Sequence, residues 1–106
     1  MIHVLALIEL HPGTREKFLH EFHALIPLVH AEHGCIEYGS AIDCPTAIPV
    51  QSLLGNDSVM VVEKWSDTAA LEAHLTAPHM TDYRTKVRDF VKTVSLRILR
   101  PSTDAA

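Results

Sequence analysis

The sequence predicts an α+β domain in which four antiparallel strands and two helical regions follow one another in the order βαββαβ, with both helical regions on one face of the sheet. Three observations carry that prediction. Apolar side chains alternate with a two-residue period over Ile2–Leu10, Ser58–Trp65 and 93–99. A helical stripe of Phe18, Phe22, Leu25 and Val29 stands between the first strand and the second. Glycine, proline and capping residues fall at the joints.

Taken in order, the first strand carries Ile2, Val4, Ala6, Ile8 and Leu10 on one face, while Leu5 and Leu7 make the middle of the other face apolar too. His11-Pro12-Gly13 is a turn. Thr14 stands where a helix N-cap is expected, Glu16 lies in the first helical turn, and Gly34 after His33 gives the stop. Pro27 has no N–H for the carbonyl of His23 and predicts a kink. Residues 35–42, CIEYGSAI, read as the second strand. Pro45, Pro49 and Gly55-Asn56 make 43–57 a long connection, extended over 50–54, serving either as a lid over a site or as an arm onto a second subunit. In the third strand Val59, Val61, Glu63 and Trp65 share a face. Ser66 or Asp67 caps a short helix from Thr68, Pro78 breaks it, and a second piece carries Met80, Tyr83, Val87, Phe90 and Val91 at helical spacing. The fourth strand, 93–99, sets Val94, Leu96 and Ile98 on one face. One domain over 1–100 thus precedes a flexible tail, 101–106. Strands that are apolar on both faces leave one side of the sheet asking for cover, and a homodimer packed through the sheets supplies it.

Composition excludes several classes of function. The 106 residues suffice for one hydrophobic core. Nine Lys plus Arg stand against thirteen Asp plus Glu, a net charge of −4 with no basic cluster, which argues against nucleic acid as a partner. No apolar run approaches the roughly 20 residues that span a bilayer, and no secretory pattern opens the chain, so no membrane is involved and the cytoplasm is the expected compartment. Cys35 and Cys44 lack CxxC spacing and are expected to be reduced thiols.

Three motifs, GCIEY at 34–38, VVEKW at 61–65 and LEAHLTAPHM at 71–80, together resemble the antibiotic biosynthesis monooxygenase domain, and within it the quinol monooxygenases. The resemblance covers residue 2 to about residue 99. It implies a dimeric α+β barrel of ferredoxin-like subunits that oxygenates a quinol or related phenol with O2, without metal, flavin or haem. An isomerase and a haem-degrading branch share the fold, so the fold leaves the reaction open. Haem is disfavoured, because the position of its ligating histidine falls at about Arg84 and the first strand has no Asn. A non-catalytic dimer that binds a small ligand, or an accessory subunit, is the alternative from another class.

Oxygenation of a quinol needs a base and a dry pocket, since the quinol anion itself can reduce oxygen. His74 is the candidate base: it lies between Leu71 and Leu75 on the short helix and can face the sheet. Position alone leaves it level between a base and a core histidine bonded to backbone; the family motif favours the base. Trp65 is expected either as a flat wall of the site or, more simply, as a large core residue at a strand end, Tyr38 as a hydrogen-bond donor to substrate oxygen or a strand residue with a solvated hydroxyl, and Glu63 on the same face as Trp65 as a substrate contact or an ion pair with Arg84 or Arg88. His79 and Tyr83, at i and i+4, complete the proposed binding set, with His79 bracing the helix junction. His20 with His23 and His30 with His33 have chelating spacing, but no carboxylate or thiol completes a set on that helix, and no metal site is expected.

Overall fold

The computed structural model describes residues 1–104. Strand β1 (Ile2–Leu10) is followed by helix α1 (Arg15–His30), strands β2 (Cys35–Ala41) and β3 (Ser58–Trp65), helices α2 (Thr68–Leu75) and α3 (Pro78–Val87), and strand β4 (Val91–Leu99). The strands form one antiparallel sheet in the order β2-β3-β1-β4. This is the expected ferredoxin-like arrangement, with the second helical region divided in two at Pro78.

Register decides which side chains meet. Val4 stands between Ile98 and Glu63, and Glu63 in turn opposes Tyr38, so these four form one row across the helix-covered face. Leu96, Ala6, Val61 and Ser40 form the next row. Over this face α1 buries Phe18, Phe22, Leu25 and Val29, α2 buries Ala70, Leu71 and His74, and α3 buries Met80 and Val87. The stripe read from the sequence is thus the inner face of α1. Phe22, fully buried, stacks on Tyr38 at a centroid distance of 5.3 Å and meets Tyr83 edge-on at 6.2 Å. Truncation of such a residue typically costs about 3–5 kcal/mol.

The helices do not reach across to the sheet's edge. Val94, Leu96 and Ile98 face the helix side by register, yet remain 56%, 45% and 52% exposed. The uncovered strip beside α3 is where the cavity described below opens. On the other face, Leu5, Leu7, Met60 and Val62 are half-buried within a margin that includes His3, Lys64, Thr93 and Arg97, with Lys64 paired to Glu37 at 3.0 Å.

Three local expectations are corrected. Thr14 is not a side-chain cap: its backbone lies at φ −103°, ψ 0°, away from the extended geometry a cap needs, and its Oγ1 donates to His11 O at 2.8 Å instead. The second helical piece ends at Val87, and Val91 begins β4; the apparent helical spacing runs through a turn in which Phe90 N donates to Val87 O at 2.9 Å. Residues 50–54 form no strand, because the connection folds on itself. Asp43 accepts from Leu54 N and Gly55 N, both at 2.8 Å, and those bonds hold its carboxyl below the usual range. As expected, α1 runs on past Pro27, to His30. Beyond β4, residues 101–104 turn through Asp104 N to Pro101 O at 3.0 Å; the rest of the expected tail, Ala105 and Ala106, lies outside the described residues. Among the described residues no helix is long and apolar enough to cross a membrane.

Asp67 does cap α2. Its extended backbone brings Oδ1 to 2.8 Å from Ala70 N. Asp67→Ala is expected to destabilise the domain by about 1 kcal/mol, lowering Tm by roughly 4–8 °C in thermal unfolding followed by circular dichroism.

Candidate active site

The capped start of α2 fixes the helix so that Leu71 and His74, one turn apart, both point at the sheet. His74 is only 1% exposed. Its ring lies 4.6 Å from that of Trp65 and 5.3 Å from that of Tyr38. Its Nδ1 is 2.8 Å from Glu32 Oε2, and its Nε2 is 4.0 Å from Glu63 Oε1. The same Glu32 oxygen lies 2.8 Å from His79 Nε2. Since a carboxylate only accepts, Nδ1–H of His74 and Nε2–H of His79 donate to it. That bond determines the tautomer: neutral His74 carries its proton on Nδ1 and turns the lone pair of Nε2 toward Glu63.

His74 and Glu63 both line a cavity of about 510 Å³ between the sheet and the helices, of a size that suits a small aromatic molecule. Phe22, Val61, Leu75, Met80, Val87 and Leu96 give it apolar walls, while Tyr38, Tyr83, Glu63 and His74 supply its polar points. Arg84 and Arg88 also line it, and Arg84 Nη2 donates to Leu75 O at 2.6 Å. The expected ion pair between Glu63 and an arginine does not form; Trp65 Nε1 donates to Glu63 Oε1 at 2.9 Å in its place.

Burial sets the protonation states. Desolvation lowers the pKa of His74 more than the hydrogen bond to Glu32 raises it, so the ring is held neutral and able to accept a proton. Desolvation pushes Glu63 up to about 7 against the Trp65 hydrogen bond, with Glu32 adding to the rise. Burial raises both tyrosines well above the usual phenol range, so Tyr38 and Tyr83 are donors and not bases. His74, expected from sequence as the base, thus lines the cavity as a neutral ring.

Two of the expected contacts are displaced. Trp65 is fully buried behind His74, off the cavity surface, and acts on the site by holding Glu63. His79 turns away from the cavity toward Glu32 and does not line it. Tyr38, Glu63 and Tyr83 do line it. No residue of 43–57 lines the cavity, so that connection is not a lid over it: it joins β2 and β3, across the sheet from the β4 edge. Sequence reading missed Glu32, which follows α1 in an irregular turn closed by Cys35 N to Glu32 O at 3.3 Å. Glu32, His74 and His79 are also the one group among the described residues whose donor atoms converge closely enough, within 4.8 Å, to hold a metal ion.

Fold and site together define a small ferredoxin-like domain with a buried imidazole in the wall of an apolar cavity. The chain belongs to the antibiotic biosynthesis monooxygenase family, whose model matches residues 1–86. It is 38% identical over 103 residues to "Probable quinol monooxygenase YgiN" of Escherichia coli (strain K12), covering 95% of this chain and 98% of that protein. Among solved structures, PA3566 from Pseudomonas aeruginosa superposes with a TM-score of 0.77 at 25% identity, covering 94% of this chain and 92% of that one. Rv0793 from Mycobacterium tuberculosis gives 0.76 at 24%, covering 99% and 98%. The likeness to Rv0793 concerns the fold.

Proposed function

We propose that the chain is a monooxygenase of a quinol or related phenol, in which His74 takes the hydroxyl proton and the resulting anion reacts with O2. One observation carries the reading: a buried His74, whose Nδ1 is bonded to Glu32 and whose Nε2 is left free, lines an apolar cavity. The name of the E. coli relative, a quinol monooxygenase, points the same way. Deprotonation makes the ring electron-rich enough to reduce oxygen, and the apolar walls keep the reactive anion from water. The balance closes without another reductant: a quinol with a free ring position plus O2 gives a hydroxyquinone plus water. One oxygen atom enters the ring at a C–H position. The other leaves as water with two hydrogens, and all four electrons come from the quinol. The scheme calls for no metal or flavin. Tyr38 and Tyr83, held as phenols, donate to substrate oxygen, and Glu63 is placed to exchange a proton with the bound ring.

The test is oxygen uptake by chelator-treated protein with a panel of hydroquinones, with mass analysis of the product. Uptake matched by a product one oxygen heavier and two hydrogens lighter supports the reading; no uptake above the protein-free blank with any member of the panel overturns it.

We infer further that two copies pack through their outer sheet faces, where Leu5, Leu7, Met60 and Val62 form an apolar centre within a polar margin. In this dimer the 43–57 connection is an arm onto the partner, a reading supported by the exposure of Val50 (89%) and Ile48 (60%). Light scattering at micromolar concentration is expected to give a dimer, and Leu5→Arg a monomer. A monomeric parent protein refutes the assignment.

A further inference from the structure

We propose that Glu32, His74 and His79 form a binding site for a zinc-type divalent cation, and that filling this site switches off the proton-accepting nitrogen of His74. The site is independent of the catalytic reading; the consequence for turnover rests on His74 being the base.

The geometry begins with two imidazole nitrogens aimed at one point. His74 Nδ1 and His79 Nε2 each lie 2.8 Å from the same oxygen of Glu32, and the three donor atoms fall within 4.8 Å of one another. Two imidazoles and one carboxylate are a donor set that zinc takes, at about 2.0–2.2 Å from each atom. An ion entering where the two nitrogens converge replaces two hydrogen bonds to Glu32 with three coordinate bonds. The rings need to close by at most about 1.5 Å to reach tetrahedral spacing. His79 can supply that movement, because it stands in the first turn of α3 with its side chain 24% exposed.

The group is reached from outside the cavity. Neither Glu32 nor His79 borders the cavity; Glu32 lines a surface hollow with His33, Asp67 and Ala70, His79 lines another with Glu21 and Asp82, and their side chains are 13% and 24% exposed. His74 turns Nδ1 toward Glu32, so an ion held by these two partly exposed side chains meets Nδ1 and not Nε2.

Coordination through Nδ1 changes what Nε2 can do. A neutral imidazole has one proton, and with the metal on Nδ1 that proton must sit on Nε2. Nε2 then donates instead of accepting. Glu63 Oε1, 4.0 Å from Nε2, is placed to take that hydrogen bond. This is the carboxylate–histidine–metal arrangement in which an outer carboxylate orients a ligating ring. The residue that faces the lone pair in the free state thus supports the metal-bound state, in which no base remains.

The experiment titrates ZnCl2, and separately CoCl2, into chelator-treated protein, with calorimetry for zinc and visible absorption for cobalt. One site is expected. Affinity at that site falls by more than about 10-fold in His79→Ala and in Glu32→Gln, and is unchanged in His20→Ala, which controls for the histidines of α1. Zinc should also raise the Tm of the parent and not that of His79→Ala, which checks that the variant is folded and its site lost. Nitrogen NMR of the His74 ring should show the proton moving from Nδ1 to Nε2 on zinc addition. Equal zinc affinity in the parent and His79→Ala overturns the site, and zinc binding with Nδ1–H retained overturns the switch. Neither readout requires turnover. Where a quinol is oxidised, zinc should inhibit the parent over the concentration range in which it binds and leave the rate of His79→Ala at its zinc-free value. Zinc bound through Nδ1 with turnover unchanged would show that the base lies elsewhere while the site stands.

Discussion

Replacing His74 by alanine is expected to lower quinol turnover by roughly two to four orders of magnitude, the range for a lost general base. The substitution removes the only imidazole that lines the cavity. It leaves Glu63, which is pushed up to about 7 and so is partly protonated at neutral pH. It also leaves two tyrosines that burial keeps as phenols. None of these replaces a neutral imidazole. The variant loses packing against Trp65 and Tyr38 as well, and Glu32 loses one of its two histidine donors, a stability cost of about 1–3 kcal/mol. Rates are therefore compared at equal folded fraction, with oxygen uptake as the readout. Wild-type turnover in folded His74→Ala protein would place the base elsewhere or show that the substrate ionises unaided.

The second large effect concerns stability. Gly34 joins α1 to β2 at φ +80°, a conformation that an alanine holds at a cost of about 1–2 kcal/mol. A Cβ there would also stand 2.5 Å from Ser66 Oγ and 2.6 Å from Ala70 Cβ. Ser66 Oγ can turn aside about its own χ1, but the Ala70 methyl cannot, because Ala70 belongs to the capped first turn of α2. Overpacking of this kind adds about 1–3 kcal/mol, so Gly34→Ala is expected to cost about 2–5 kcal/mol in all. At roughly 4–8 °C per kcal/mol, Tm should fall by about 10 °C or more in calorimetry. A shift within a few degrees would show that the turn relaxes away from α2. Because Glu32 lies two residues before Gly34, the same substitution should also disturb its bonds to His74 and His79.

Much of this architecture was legible in the chain because it follows from periods of two and of 3.6. The faces of β1 and β3 and the inner stripe of α1 lie as the alternation and the stripe require. The inward face of His74 was legible because its neighbours Leu71 and Leu75 mark that side of α2, while its choice as the base came from the family motif. Depth and long-range pairing have no such period. The pattern gives the face of Trp65 but not that its ring lies beneath His74, behind the cavity wall. Glu32 sits in a turn with no periodicity of its own, and it meets His74 and His79 across 42 and 47 residues of chain. A charged residue two places before a positive-φ glycine was the only local signal. The boundary at Phe90 was misread because Val87, Phe90 and Val91 keep helical spacing while the backbone leaves the helix, a choice made by pairing with β1.

The position of Trp65 also gives the molecule its own spectroscopic gauge. It is the only tryptophan in the chain, fully buried, with its indole N–H on Glu63 and its ring 4.6 Å from His74. Its emission should lie toward the blue, as for an indole shielded from water. Any event that charges, rotates or ligates His74, or that changes the proton on Glu63, acts on the excited indole directly. A ligand filling the cavity alters the same surroundings through Glu63. The fluorescence of the unlabelled protein can thus follow occupancy of the cavity from one side and ligation of the Glu32, His74 and His79 group from the other, in a stopped-flow instrument and before any product accumulates.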